Sequence, residues 1–256
     1  MSVLDLFKLD GKIALVTGAS QGLGESIALA LAEAGAGIVS ASRSPKDGAV
    51  AECCARLGRP HHTLALDLRT ASVADLNAAV QQVVAEAGRL DILVNNAGIV
   101  LRTPAIDYSE ADWDAVVQID LKSVFFLSQA AARVMQQNGG GKIINVASLL
   151  SFQGGILIPA YTAAKHGVFG LTKALANEWA SKGINVNAIA PGYIETEATD
   201  AIRNDPNRNP TIVSRIPAGH WGTPSDLMGT AVYLASDAAK YVHGTTVTVD
   251  GGWMGR

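Results

Sequence analysis

Between Ser148 and Lys165 the chain reads SLLSFQGGILIPAYTAAK, mostly apolar and small residues that nevertheless carry a hydroxyl, a phenol and an amine. Tyr161 and Lys165 are four residues apart, which makes them neighbours on one face of a helix, and Ser148 lies thirteen residues upstream. A free phenol ionises only near a pH of about 10, too high for easy proton exchange at neutrality, whereas a nearby ammonium favours the phenolate. The pair therefore reads as an acid–base couple. Standing alone, this spacing reads more simply as a core tyrosine beside a lysine whose stem follows apolar surface. The chemical reading needs a second site for the couple to serve.

Such a site precedes it. TGASQGLG, from Thr17 to Gly24, follows an apolar, β-branched run and opens a helical pattern. Gly18, Gly22 and Gly24 let the backbone turn tightly and approach a ligand, while the free N–H groups of the following helix favour an anion. The strand before and the helix after turn a weak glycine spacing into an expected pyrophosphate site, lined by Gly18, Ser20, Gln21, Gly22, Leu23 and Gly24. The second strand-like run ends SASRS, with Ser42 where an acid would bind the ribose diol of NAD and Arg43 beside it. A small hydroxyl next to a guanidinium accepts a 2′-phosphate that a carboxylate would repel, so NADP(H) is the expected cofactor, with NAD(H) the alternative. Asp67 and Leu68, after the third run, are placed to meet the adenine; Asn95, Ala97 and Gly98, in NNAG, end the fourth run with little bulk beside a dinucleotide. Turn chemistry would use Asp, Asn and Gly equally well.

The elements that must hold these groups alternate along the chain. Strand-like runs at 12–18, 37–42, 62–67, 90–96, 141–148, 184–191 and 246–252 are separated by helical patterns around 24–35, 46–57, 72–87, 110–137, 160–181 and 225–236. Parallel strands need crossover connections that cover both faces, so the expected fold is α/β: a doubly wound, seven-stranded parallel Rossmann sheet with helices on both faces. No linker divides residues 1–256, which read as one dinucleotide-binding and catalytic domain. Residues 198–222 are polar with three prolines; inserted after the carboxyl end of a strand, they extend a segment of about 193–222 expected to close over a substrate.

Composition excludes other classes. The 256 residues are 48% hydrophobic with a formal net charge of −3, which supplies no basic field for nucleic acid. No apolar run reaches a membrane span's length, and the start, MSVLDLFKLDGK, is interrupted by charge where a secretory signal needs an apolar run. A cytoplasmic protein is expected. Adjacent Cys53 and Cys54 are badly placed to bridge each other, and no His/Cys spacing suggests a metal.

TGASQGLG, NNAG, Ser148, YTAAK and PGYIET, in this order and approximate spacing, resemble the short-chain dehydrogenase/reductase family over nearly the whole chain. The resemblance implies a catalytic set of Ser148, Tyr161 and Lys165, a nicotinamide near Pro191, Gly192, Ile194 and Thr196, and Tyr161 and Lys165 in contact with the cofactor as well. It also implies a homotetramer, with TVTVDGGW and the helices around 110–137 and 160–181 as contact surfaces. One position departs. The family usually has an asparagine on the central helix that holds a proton relay to the lysine, whereas VVQIDLKSVFF presents Asp120 there. GGKIINVASLLSFQGGI, NEWA, RIPAGHWGTPSDLMG and VDGGW further resemble a sugar-acid branch of the family, implying a secondary alcohol or ketone on a hexonate-type acid. Such a substrate needs hydroxyl and carboxylate partners; Arg102, Gln153, Arg215 and His220 are the candidates. A general ketone or 3-oxoacyl reductase, and a non-catalytic dinucleotide sensor, are the alternatives.

Overall fold

Seven parallel strands order as β3-β2-β1-β4-β5-β6-β7 in one sheet, as expected for a doubly wound chain. The computed structural model of the protein describes residues 2–45 and 48–256. The strands are β1 (Ile13–Thr17), β2 (Gly37–Ser42), β3 (His61–Ala65), β4 (Ile92–Asn95), β5 (Gly141–Val146), β6 (Ile184–Pro191) and β7 (Thr246–Val249). Among the described residues the longer helices are α1 (Gly22–Glu33), α2 (Ala49–Leu57), α3 (Val73–Ala87), α4 (Glu110–Val117), α5 (Ser123–Gln137) and α6 (Pro159–Trp179); α7 (Asp200–Arg203), α8 (Arg208–Val213) and α9 (Met228–Ala235) follow. The helix expected from residue 46 begins at Ala49; Lys46 and Asp47 lie outside the described residues.

The inner strands are mainly apolar because both their faces are covered, whereas the edge strands β3 and β7 stay partly exposed and carry His and Thr. In β1, Ile13 and Leu15 face a core shared with α3, α5 and α6 through Val80, Leu127 and Leu175. The alternate residues Ala14 and Val16 face a second core, filled by Ile27 of α1, Cys54 of α2 and Leu234 of α9. Burying a large side chain of this kind contributes roughly 1.5–3 kcal/mol, and the period of two in each strand divides that gain between the faces. Cys53 and Cys54 are unpaired and buried, and burial pushes the Cys54 thiol up to about 11. Among the described residues no helix is long and apolar enough to cross a membrane.

The chain leaves β1 toward β2 on one side and returns to β4 on the other. That reversal opens a crevice at the carboxyl ends of β1 and β4, the place where open α/β sheets bind ligands. One element differs from the sequence expectation. The helix expected over 110–137 is not continuous: α4 and α5 are joined by a π turn, Gln118–Lys122, which widens the helix by one residue per turn and is frequent at functional positions. The segment 198–222 contains α7 and α8. Its ends are tied: Ile194 bridges Gly222, the Gly222 N–H donates to Tyr193 O (2.9 Å) and the Glu195 N–H to Gly222 O (2.8 Å).

Candidate active site

The glycine turn is built at the carboxyl end of β1. Gly18 and Gly22 have φ of +68° and +60°, a left-handed backbone that costs other residues roughly 1–2 kcal/mol. Gly24 faces the turn so closely that a Cβ there would stand 2.2 Å from Gly18 O and 2.4 Å from Asn96 Nδ2. Asn96, passed over by the sequence reading, is what holds this shape: its amide donates to Thr17 O (2.9 Å) and Gly18 O (3.3 Å). Thr17 Oγ1 completes the lacing by accepting from the N–H groups of Asn96 (3.0 Å) and Ala97 (3.1 Å). Ser20 and Gln21 are exposed at the mouth of the turn, and Gln21 Nε2 donates to Glu197 Oε2 (2.7 Å). Leu23 packs against the core beneath.

The other expected cofactor residues fall around the same crevice with different roles for their side chains. Ser42 closes β2, and Arg43 after it is exposed. Asp67 Oδ1 accepts from the Arg69 N–H (2.9 Å) in a local turn; Leu68 is buried in the core and offers a ligand only backbone. Asn95 turns its amide into the sheet, donating to Ser128 Oγ (3.0 Å) and Asn145 Oδ1 (2.9 Å), and its Oδ1 is left without a hydrogen-bond partner. Pro191 and Ile194 are buried, and Gly192 is demanded by packing, since a Cβ would meet Asp250 Cα at 2.5 Å. Thr196 lies over Gly22, its methyl 3.7 Å from where a Cβ would stand.

Ser148, Tyr161, Lys165 and Asp120 come from three elements. Ser148 follows β5 and caps a short 3-10 turn, its Oγ accepting from the Leu150 N–H (3.2 Å); the hydroxyl proton is left to donate elsewhere. α6 begins with Pro159 at its first turn, where a missing N–H costs nothing. Near its start, Tyr161 packs against the buried cluster of Val116, Ala160 and Ala164, and Lys165 follows it with Nζ 5.4 Å from the Tyr161 ring centroid. Lys165 is 4% exposed; its Nζ donates to Val146 O (2.9 Å) and stands 3.5 Å from Asp120 Oδ2. Asp120 is fully buried on the π turn. Its Oδ1 accepts from the Ile99 N–H (2.9 Å), Oδ2 has no hydrogen-bond partner, and a Cβ on Gly98 would approach that oxygen to 2.8 Å. Burial pushes the Asp120 carboxyl above the ordinary carboxylate range, against the opposing pull of Lys165 and the Ile99 N–H.

Of the substrate candidates, Gln153 and Arg215 meet at one residue that the sequence reading did not single out. Trp253 Nε1 donates to Gln153 Oε1 (3.4 Å), and the Arg215 guanidinium lies 4.0 Å above the Trp253 ring. Arg102 is exposed on the loop after β4, where the Thr103 N–H donates to Leu157 O (2.9 Å). His220 is exposed with Nδ1 2.7 Å from Trp221 O.

Comparison with known proteins gives the family. The family model described as enoyl-(acyl carrier protein) reductase matches residues 18–254. The 2-dehydro-3-deoxy-D-gluconate 5-dehydrogenase of Escherichia coli K12 is 52% identical over 255 residues, 99% of this chain and 100% of that protein. An Agrobacterium tumefaciens protein crystallised with NADP, described as a candidate 2-deoxy-D-gluconate 3-dehydrogenase, superposes with a TM-score of 0.91 at 53% identity, over 98% of this chain and 100% of its own. A Beutenbergia cavernae protein crystallised with NADP, described as a candidate NAD(P)-dependent gluconate 5-dehydrogenase, gives a TM-score of 0.93 at 44% identity, covering 98% and 100%. With a glycine turn on β1, a tyrosine–lysine pair on α6 and identity above one half across the chain, the protein belongs to the short-chain dehydrogenase/reductase family.

Proposed function

We propose that the chain is an NADP-preferring oxidoreductase that interconverts a secondary alcohol and a ketone on a keto-deoxy, hexonate-type sugar acid. The observation that carries this reading is Tyr161 one helical turn from a buried Lys165, behind a glycine turn laced to β4. The turn fits a dinucleotide: its backbone is held where a Cβ would collide at Gly24, and its N–H groups open α1 toward an anion. Gly18, Ser20, Gln21, Gly22, Leu23 and Gly24 would hold the pyrophosphate, and Ser42 with Arg43 the 2′-phosphate. A bound nicotinamide supplies or takes up the hydride.

The chain's own groups handle the proton. Tyr161 gives a proton to the carbonyl oxygen of the substrate in reduction and takes it back in oxidation. Ser148, with its oxygen already accepting from Leu150, donates its hydroxyl proton to the same substrate oxygen. Lys165, fixed by Val146 O, keeps a positive charge beneath the phenol and reaches the cofactor ribose. Asp120 occupies the relay position, 3.5 Å from Lys165 Nζ, with burial pushing its carboxyl above the ordinary range and Lys165 pulling the other way.

The sugar-acid substrate follows from the likeness to the relatives named above, and Arg102, Gln153, Arg215 and His220 are its candidate partners. The 193–222 segment, tied at its base through Ile194 and Gly222, would serve as the lid of a single domain spanning 1–256. Two buried, unpaired thiols support a reducing, cytoplasmic setting. A homotetramer would use α4, α5, α6 and β7, and exposed apolar side chains such as Trp113 and Phe152 support such contacts. The test is steady-state kinetics with NADP and NAD on 2-dehydro-3-deoxy-D-gluconate, against acetoacetyl thioester with NADPH. Higher kcat/KM for the sugar acid with NADP is expected; preference for the thioester would replace the reading with a 3-oxoacyl reductase.

A further inference from the structure

Trp253 lies three residues from the end of the chain, on a 3-10 turn reached through Gly251 and Gly252, and is 6% exposed. Nothing in the spacing of VDGGW marks it as more than a core aromatic. In the structure, however, it joins three segments: the turn after Ser148, the 193–222 segment and the end of β6. Its Nε1 donates to Gln153 Oε1, on the turn after Ser148. Its face carries the Arg215 guanidinium from the lid at 4.0 Å. Its edge packs on Tyr193, just past β6, with ring centroids 4.7 Å apart, and Tyr193 in turn stacks edge-on against Trp221 at 5.1 Å. Leu149, next to Ser148, belongs to the same buried cluster.

The turn that presents the ring is itself pinned. Asp250 accepts from the N–H groups of Gly252 and Met254, both at 2.8 Å. The Ala218 N–H donates to Gly251 O (3.0 Å), and Arg256 Nη1 donates to the carbonyls of Ser214 and Arg215, both at 3.2 Å. The lid and the end of the chain are therefore one laced unit. Arg215 is exposed, and a solvent-facing arginine ordinarily samples many rotamers; a tryptophan face beneath it removes that freedom and leaves the fork free to bond an anion.

We infer that Trp253 is a specificity-determining positioning residue that seats Arg215 and Gln153 as one pair, the guanidinium for the carboxylate of an acidic substrate and the amide for a neighbouring hydroxyl. This rests on the sugar-acid reading for the identity of the substrate, but not for the geometry. Gln153 accepts from the indole with its oxygen, which leaves its NH₂ to donate toward a ligand. The field at Tyr193 is consistent: burial pushes its phenol up, while Arg215 and Arg208 pull the other way, so two cations are felt at the same place beside the crevice.

The test uses Trp253→Leu, with Trp253→Phe as the conservative variant that keeps a ring under Arg215. Kinetics are measured with the keto-deoxy hexonate and with its neutral methyl ester, and calorimetry follows D-gluconate binding to the enzyme–NADP complex. Losing a held charge-assisted contact predicts that Trp253→Leu raises KM for the acid by about tenfold or more while kcat changes by less than about threefold. The ester loses far less, and Trp253→Phe recovers most of the affinity. Equal losses on acid and ester, or an altered NADP affinity that accounts for both, would overturn the inference and leave a purely structural tryptophan. If Trp253→Leu does not fold, the double-mutant cycle of Arg215→Ala with Gln153→Leu replaces it: losses on the acid that fail to add support the shared seat, and losses that add overturn it. A parent enzyme that turns over no hexonate defeats the substrate reading instead. Gluconate binding that weakens in the variants would then still uphold the seat, and gluconate binding that is absent or unchanged would defeat it.

Discussion

Replacing Gly24 with alanine perturbs the cofactor cradle by a single methyl. The added Cβ would stand 2.2 Å from Gly18 O, where ordinary contact begins at 3.4 Å, so the carbonyl must retreat by roughly 1 Å, a displacement large enough to cost about a hundredfold in a positioned site. It has nowhere easy to go. Gly18 O accepts from Asn96, and the Gly18 N–H donates to Ala41 O at 2.8 Å. Overpacking of this kind costs about 1–3 kcal/mol, and the loss of one such backbone bond adds about 0.5–1.5 kcal/mol. The fold should survive with a lowered Tm. Cofactor affinity should suffer more, because charge-assisted bonds from the turn to a pyrophosphate contribute about 1.5–3 kcal/mol each. Losing even one or two of them predicts a rise of about a hundredfold in the Kd for NADP. Isothermal titration of NADP, alongside thermal unfolding, reads both quantities. Gly229→Ala is the control: it lies early in α9 with nothing within 4 Å of its Cβ position, so it should leave NADP binding unchanged and stabilise the helix by about 0.5–1 kcal/mol. A Gly24→Ala protein that binds NADP within about threefold of the parent, well under the factor of ten equivalent to 1.4 kcal/mol, would refute the reasoning.

Asp120→Asn should leave the enzyme active and move its pH–rate profile; an unchanged profile would place residue 120 off the proton relay. The same variant has a stability signature. The Asp120 carboxyl is raised in the fold by burial, so its contribution is fully present below the ordinary carboxylate value of 3.8 and is lost as pH rises through the raised value. Asparagine does not ionise, so urea unfolding from acid to neutral pH should show the variant gaining on the parent as pH increases. Arg43→Ala should raise KM for NADP by about tenfold or more while leaving KM for NAD within about twofold, and equal losses with the two cofactors would remove Arg43 from the 2′-phosphate site. Light scattering on a gel-filtered sample should give four copies of the 26.5 kDa chain, and a monomer would exclude α4, α5 and α6 as contact faces.

How far the sequence could be read depended on whether a feature is local. The inner strands were visible as apolar runs because they are covered on both faces, the part-exposed edge strands β3 and β7 less so, and the glycine turn was visible because Gly18 and Gly22 need a positive φ that few residues share. Tyr161 and Lys165 are set by helix geometry alone. The π turn at Gln118–Lys122 was not visible, since a widened turn leaves the apolar pattern of 110–137 almost intact. Asn96 and Asn95 are identical in composition terms, yet one laces the glycine turn and the other a buried network with Ser128 and Asn145; only the directions of their side chains separate them. Gln153, Arg215 and Trp253 are spread over a hundred residues of chain and meet because the 193–222 segment and the end of the chain are laced together. Short polar helices such as α7 and α8 offered no periodicity long enough to read.

In the proposed reaction the hydroxyl of Tyr161 exchanges the proton. Tyr161→Phe removes that oxygen and keeps the ring against Val116, Ala160 and Ala164. Measured with saturating NADPH and the keto-deoxy hexonate, kcat should fall by about a thousandfold, in the range general acid–base catalysis supplies, with the Kd for NADPH nearly unchanged. A kcat within about tenfold of the parent, below the smallest contribution expected of a general acid, would contradict it.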